Sequence, residues 1–103
     1  MTYAVVWSGD GPAIYAGRLE LDDRGLVLAG LAPQARESRR RIFYDELREV
    51  HVERRPEARL AGRPTLFAEC RNGVRIRVAL VDGTGSLLEV ADRISTARAR
   101  AAA

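Results

Sequence analysis

The side chains of this chain best suited to act as a nucleophile and a general base are its one cysteine, Cys70, and its one histidine, His51. A thiol and an imidazole within hydrogen-bond reach of each other could form a nucleophile–base pair. His51 lies between two valines, and this alternation predicts that its side chain faces solvent. Cys70 is in phase with Leu66 and Ala68, which predicts a buried side chain. Since the two groups are expected on opposite faces of a sheet, we expect no enzymatic activity.

Other polar residues do not indicate a metal or cofactor site. Asp22 and Asp23 are adjacent carboxylates that could bind a hard cation, but an Asp-rich segment before Gly25 predicts a β-turn instead. The glycine-rich segments 9–12 and 83–85 lack the Gly-Lys-Ser/Thr ending of a phosphate-binding loop. Residues 84–86 precede a predicted helix start, a position that generally attracts anions. We expect neither a cofactor nor a bound metal ion.

An arginine-rich run is the first candidate for binding a partner. All 17 basic residues of the chain are arginines, a bias that a GC-rich genome also produces. Neighbouring guanidinium groups can bind phosphate, an acidic peptide or an anionic membrane. The alternative is a solvated surface whose charges are neutralised by the carboxylates that follow in the sequence. The run consists of Arg36, Arg39, Arg40 and Arg41, and the carboxylates are Asp45, Glu46, Glu49 and Glu53.

A second candidate surface lies on two predicted strands joined by Asn72-Gly73. Phe67 occupies an outward position of the first of these strands, and an outward aromatic side chain favours an interaction surface. Arg75 and Arg77 point outward from the second strand, where we expect them to form cross-strand charge pairs with Glu69 and Arg71. The candidate binding residues are therefore Arg39, Arg40, Arg41, Phe67, Arg75 and Arg77.

Length and composition bound the remaining choices. A chain of 103 residues with 47% hydrophobic and 30% charged residues predicts one globular domain, which we place at residues 1–98, with 99–103 as a frayed tail. No apolar run approaches about 18 residues and no leader pattern opens the chain, so we expect no transmembrane segment and a cytoplasmic location. A net charge of +3 without aromatics interleaved on a basic strand argues against a nucleic-acid partner.

Seven short runs of β-forming residues dominate the chain. They span residues 2–7, 13–21, 25–30, 39–44, 47–54, 65–71 and 74–81. Segment 31–38 is expected to be an exposed connection, and 55–63 the longest polar loop. Asn72-Gly73 predicts a type I′ hairpin, and 22–25 a type I turn with a left-handed residue.

A single helix is predicted after the last run. Residues 86–89 have the spacing of a capping box, and an apolar stripe follows at helical spacing. The stripe comprises Leu87, Val90, Ala91, Ile94 and Ala97. We therefore predict a mainly β fold, a seven-stranded antiparallel curled sandwich or barrel capped by one C-terminal helix. Because the first and third runs are apolar on both faces, self-association into a homo-oligomer remains open.

This order of seven strands and one amphipathic helix resembles the pleckstrin-homology-like superfamily, and within it the small bacterial members and the GRAM-type domains. The segments that carry the likeness, between Gly17 and Ile94, are GRLELDDRGLVLAG, RIFYDELREVHVER, GRPTLFAECRNGVRIRVAL and LLEVADRI. The resemblance implies two nearly orthogonal sheets with the helix plugging one end. It also implies a non-enzymatic binding or scaffolding module, with a protein as the first expected partner. Phosphoinositide-binding members carry basic residues around their first loop, whereas loop 8–12 has none here, so an anionic lipid is the second alternative.

Overall fold

The structure is a computed structural model and describes residues 1–81 and 87–102. Within these ranges, alternating apolar residues form seven strands: β1 (Thr2–Ser8), β2 (Tyr15–Leu21), β3 (Gly25–Ala32), β4 (Arg36–Phe43), β5 (Leu47–Glu53), β6 (Thr65–Cys70) and β7 (Arg75–Leu80). One helix, α1 (Leu87–Ala102), follows them, and single 3-10 turns occupy Pro33–Ala35, Tyr44–Glu46 and Pro56–Ala58. The predicted mainly β class is confirmed.

The strands form one antiparallel sheet in the order β4-β3-β2-β1-β7-β6-β5, curled into a half-barrel. Pairing of β1 with β7, from Val5↔Leu80 to Ser8↔Arg77, joins the two halves of the sheet. β4 and β5 follow one another in the sequence but lie at opposite ends of the strand order. The sheet therefore has two edge strands, β4 and β5.

The core lies on the concave face, where alternate apolar residues of the strands meet. Trp7 is fully buried there, its Nε1 donates a hydrogen bond to the Ala29 carbonyl at 3.1 Å, and its ring stacks on Tyr15 at 4.6 Å. Burying a large apolar side chain contributes about 1.5–3 kcal/mol. Other core residues are Val5, Leu19, Leu26, Leu28, Ile42, Leu47, Leu66, Ile76 and Val78.

Helix α1 closes this core with its apolar stripe. Val90 and Ile94 are fully buried, and the helix packs against β5, the 44–46 turn and β6. Arg98 ties it to β5, because its Nη2 donates to the Leu47 and Arg48 carbonyls at 3.1 and 2.9 Å. The predicted stripe is confirmed, but the helix continues through Ala102, where we expected a frayed tail. The predicted capping box includes Ser86, and it lies outside the described residues, as does the anion position at 84–86.

The prediction of an exposed connection over 31–38 was wrong. β3 runs to Ala32 and β4 begins at Arg36, so the connection is the turn at Pro33–Ala35. Gln34 has a φ of 71°, the left-handed conformation that lets so short a link reverse the chain. The start of β4 escaped detection because an edge strand with polar residues on both faces lacks apolar alternation.

Both predicted turns form, with different geometry. At the β6–β7 hairpin Gly73 has a φ of 91° but Asn72 does not have a positive φ, and the Cys70 N–H donates to the Val74 carbonyl at 2.8 Å. This is a three-residue loop ending in a left-handed glycine, so the type I′ assignment was wrong. Gly25 is not left-handed. Glycine is needed there because a Cβ would overlap the Ile42 carbonyl oxygen of β4.

Candidate binding surfaces

The candidate residues fall on two separate surfaces, which we name by their positions. The Phe67 face is the convex surface of β5, β6 and β7 that carries Glu49, His51, Glu53, Phe67, Glu69 and Arg75. The β4 edge is the strand Arg36–Phe43 at the opposite end of the sheet. The sheet thus separates the arginine run from Phe67.

The Phe67 face is centred on a pair of stacked rings. The β5–β6 register places His51 directly opposite Phe67, with ring centroids 5.4 Å apart and planes 5° from parallel. The long 54–64 loop returns to this register through Thr65, whose hydroxyl accepts from the Leu60 N–H at 2.8 Å and donates to the Arg63 carbonyl at 2.9 Å. Phe67 is half-buried and His51 exposed, so the pair presents an aromatic surface to solvent.

A hollow of about 280 Å³ lies over these rings. Its walls are ion pairs: Glu69 contacts Arg75 at 3.0 Å, and Glu53 contacts Arg55 at 2.9 Å. The side-chain hydrogen bond from Arg55 lowers the pKa of Glu53, which keeps that carboxylate ionised. The arrangement is an aromatic floor, formed by Phe67 and His51, with charged walls.

Arg75 and Arg77 have different roles on this surface. The predicted charge pair between Arg75 and Glu69 is confirmed. Arg77 lies opposite Phe67, and its Nε donates to the Ser8 hydroxyl at 3.2 Å. The expected pairing of Arg77 with Arg71 was therefore wrong, since Arg71 reaches the Asp45 carbonyl instead at 2.9 Å. Arg77 connects β7 to β1, and Arg75 borders the hollow.

The arginine run does not form a single patch. Because Arg40 pairs with the core residue Leu28, it points to the concave face, whereas Arg39 and Arg41 point to the convex face. Arg41 is held by Asp22 through two hydrogen bonds of 3.0 and 2.6 Å, and its guanidinium lies 5.6 Å from the Phe43 ring centroid. The Arg41 bond, followed by the turn N–H groups, holds the pKa of Asp22 well below its ordinary value.

Neutralisation of the run by the following carboxylates was also wrong. Glu46 accepts from the Phe43 N–H at 3.4 Å, Glu49 contacts His51 at 3.2 Å, and Glu53 pairs with Arg55. Across the described residues, no hydrogen bond or ion pair is made by the guanidinium groups of three β4 arginines. These are Arg36, Arg39 and Arg40.

The two potentially reactive side chains lie on opposite faces, as predicted. His51 is exposed on the convex face, and Cys70 is buried on the concave face, where burial raises the pKa of its thiol. Asp22 accepts from the Arg24 and Gly25 N–H groups at 2.8 and 3.0 Å, which confirms its role in the turn. In residues 1–81 and 87–102, no three His, Cys, Asp or Glu side chains are grouped so as to hold a metal ion.

Sequence reasoning missed two features of these surfaces: the stacking of His51 on Phe67, and an Arg36 guanidinium that forms no hydrogen bond or ion pair with a described residue. The outward parity of both ring-bearing positions was visible, but the register that makes them neighbours depends on the 54–64 loop.

In the described part of the chain, α1 falls short of the length and apolarity that a membrane crossing requires. No protein-family model matches this chain, and no curated protein matches it.

Proposed function

We propose that this chain is a non-enzymatic binding module of the pleckstrin-homology-like, GRAM-like kind, acting in the cytoplasm, and that its ligand is a protein. The observation that carries the proposal is the solvent-facing stack of Phe67 and His51 beneath a hollow of about 280 Å³. The order of seven antiparallel strands and a C-terminal helix is what supports this kind of module; the strands form one curled sheet, whereas the resemblance implied two nearly orthogonal sheets.

The Phe67 face has the physical make-up of a protein-contact surface. Aromatic side chains provide much of the binding energy of interfaces when they are enclosed by the partner. Glu69 and Glu53 beside the ring are each already paired with an arginine, so a partner that covers the ring does not bury either of these two carboxylates unpaired. A polar rim of this kind is typical of protein interfaces.

The test compares two alanine variants as baits. Wild type, Phe67→Ala and Leu88→Ala are tagged and used to capture proteins from the native host, with quantitative mass spectrometry. Leu88 is the matched control because its side chain is 53% exposed and lies on α1, away from β5–β7 strand pairing. We expect a partner retained by wild type and Leu88→Ala and depleted at least about tenfold for Phe67→Ala. Equal capture by all three would contradict the proposal.

The partner can be a second copy of this chain or another protein, and a measurement of oligomeric state distinguishes the two. Sedimentation of the purified chain over a wide concentration range detects a homo-oligomer. A dimer that Phe67→Ala disrupts and Leu88→Ala leaves intact would identify a second copy as the partner.

An anionic lipid headgroup is the second candidate. It is favoured by the unpaired guanidinium groups on β4, and disfavoured because Arg39 and Arg40 point to opposite faces while Arg41 is occupied by Asp22. Flotation with phosphatidylserine vesicles at low and high salt tests it. Salt-sensitive flotation lost in Arg39/Arg40/Arg41→Ala would favour lipid, and absence of flotation would eliminate it.

A further inference from the structure

The two edge strands of the sheet, β5 and β4, differ in what packs against them. At the β5 edge, α1 packs against the strand, and the Arg98 guanidinium donates hydrogen bonds to the Leu47 and Arg48 carbonyls. β4 lies at the other end of the strand order and pairs with β3, and no further strand joins it among the described residues. An eight-residue edge is thereby left open on one side.

The backbone groups that face this open side follow from the ladder. The Tyr44 N–H donates to the Arg24 carbonyl across β3–β4, and antiparallel ladders alternate between bonded and outward-facing residues. The Phe43 N–H is accordingly turned away from β3, and the Glu46 carboxylate accepts it. By the same alternation, the N–H and C=O groups of Glu37, Arg39 and Arg41 point outward, where another strand could bind them.

The charge on this edge selects the kind of strand. Arg36 and Arg40 on the concave side and Arg39 on the convex side carry no ion pair within the described ranges, whereas the strand has one carboxylate, Glu37. Most other arginines of the described chain contact a carboxylate, a hydroxyl or a carbonyl group. The Arg40 guanidinium lies beside Gly9 in this structure. Unpaired positive charge on an edge strand favours an acidic partner strand, because cross-strand opposite charges stabilise pairing.

A second copy of β4 is a poor occupant of this edge. Antiparallel pairing of two copies about Arg39 or Arg40 places that arginine opposite itself. Pairing about Ser38 places Arg36 opposite Arg40, which offsets the favourable pairing of Glu37 with Arg39 in that register. Like charges in direct opposition destabilise strand pairs, and charged edges are a common protection against self-pairing.

We propose that β4 is an acceptor strand, to which an extended acidic segment of a partner protein adds antiparallel as an eighth strand. This rests on the protein-binding function proposed above but uses a different surface. The register defines the segment: from its N-terminus, an apolar residue opposite Ile42, two consecutive acidic residues opposite Arg40 and Arg39, and a third acidic residue opposite Arg36. Main-chain hydrogen bonds and alternate side chains together give such strand addition its affinity and specificity.

The first test measures binding of the blocked peptide Val-Thr-Glu-Glu-Thr-Thr-Glu by NMR titration of the folded protein. The variant Arg36/Arg39/Arg40→Gln should bind it at least about tenfold more weakly. The matched control is Arg24/Arg54/Arg100→Gln, which removes the same charge from arginines that, in the described structure, are also without side-chain partners. We expect the control to lose less than about threefold, since Arg54 and Arg100 lie on other elements and Arg24 lies beyond Phe43, past the residues 36–42 that the peptide would pair with.

The second test separates strand addition from simple charge attraction. Glu37→Gln and Glu37→Pro both remove the same negative charge, but only proline also removes the outward N–H. We expect roughly twofold tighter peptide binding for Glu37→Gln and at least about fivefold weaker binding for Glu37→Pro. A peptide with N-methylated alternate amides should bind as poorly as the proline variant, which provides the same comparison if Glu37→Pro does not fold.

The outcomes are distinct. No binding at millimolar peptide, equal losses for the two arginine triples, or tighter binding by Glu37→Pro would each overturn the acceptor-strand proposal. Salt-sensitive flotation with phosphatidylserine vesicles in place of peptide binding would overturn it in favour of a membrane. Phe67→Ala should bind the peptide as tightly as wild type does. The two proposals can therefore fail separately: the peptide can fail to bind while the Phe67 face still captures a partner, or the peptide can bind while the Phe67 face captures none.

Discussion

Replacing Ile94 with alanine should lower the free energy of unfolding by about 2–5 kcal/mol, the range for truncating a buried aliphatic side chain. Ile94 is fully buried and belongs to the same apolar cluster as Trp7 and Leu66. Alanine is a better helix former than isoleucine, and this difference offsets the expected loss by no more than a few tenths of a kcal/mol. The loss therefore reports packing of α1 on the sheet and not formation of the helix itself.

A loss of this size is a large part of the total stability of a small domain, about 5–15 kcal/mol. For a chain of about this length, each kcal/mol lowers the melting temperature by roughly 4–8 °C, so a loss of 3 kcal/mol predicts a decrease of about 12–24 °C. Urea unfolding followed by circular dichroism gives the free energy directly, and thermal melts provide a second measurement.

Leu88→Ala is the control on the same helix, because Leu88 is 53% exposed. It should change the free energy of unfolding by no more than about 0.5 kcal/mol. If Ile94→Ala and Leu88→Ala lowered stability equally, the reasoning that α1 completes the core would be refuted. The same result would remove the physical basis for treating the β5 edge as protected.

Three further predictions follow from local contacts. Since the Arg41 bond lowers the pKa of Asp22 in the folded state, its stabilisation is present above the ordinary value of 3.8 and is lost as the pH falls below it. The stability difference between wild type and Asp22→Asn should therefore shrink from pH 5 toward pH 2 in urea titrations, and a constant difference would contradict this. Gly25→Ala should lose more than about 2 kcal/mol because a Cβ has no room beside β4, whereas Gly11→Ala, with open space around it, should stay within about 0.5 kcal/mol; equal melts would refute the packing argument. Cys70 is 5% exposed and burial raises its thiol pKa, so it should react with a disulfide reagent at pH 8 at least about 100-fold more slowly when folded than in urea, and comparable rates would show that the thiol is accessible.

The fold was predictable wherever one face of a strand is buried. The alternation around Leu19 and Ile76 and the helical stripe through Ile94 each follow from a core on one side, and all were confirmed. The beginning of β4 was not predictable in this way, because Arg36 and Ser38 lie at an edge with solvent on both sides. Turn geometry was harder still, since Asn72-Gly73 is compatible with more than one hairpin loop.

The candidate surfaces were predictable residue by residue but not as assemblies. Outward parity of Phe67 and burial of Cys70 depend on two-residue periodicity, and the structure agrees with both. That His51 stacks on Phe67, and that Arg41 bonds to Asp22, depends on strand register and on contacts between residues far apart in sequence. Periodicity contains no information about either, which is why the arginine run was read as one patch.

The pairing of β1 with β7 has a kinetic consequence for how the chain is made. The first four strands are sequential neighbours, so they can assemble as a meander as soon as about 43 residues have left the ribosome. The other side of β1 can pair with β7 only after the chain has been synthesised through Leu80. Until synthesis reaches that point, the nascent chain exposes an incomplete apolar wall, and this interval is when chaperone protection would matter most.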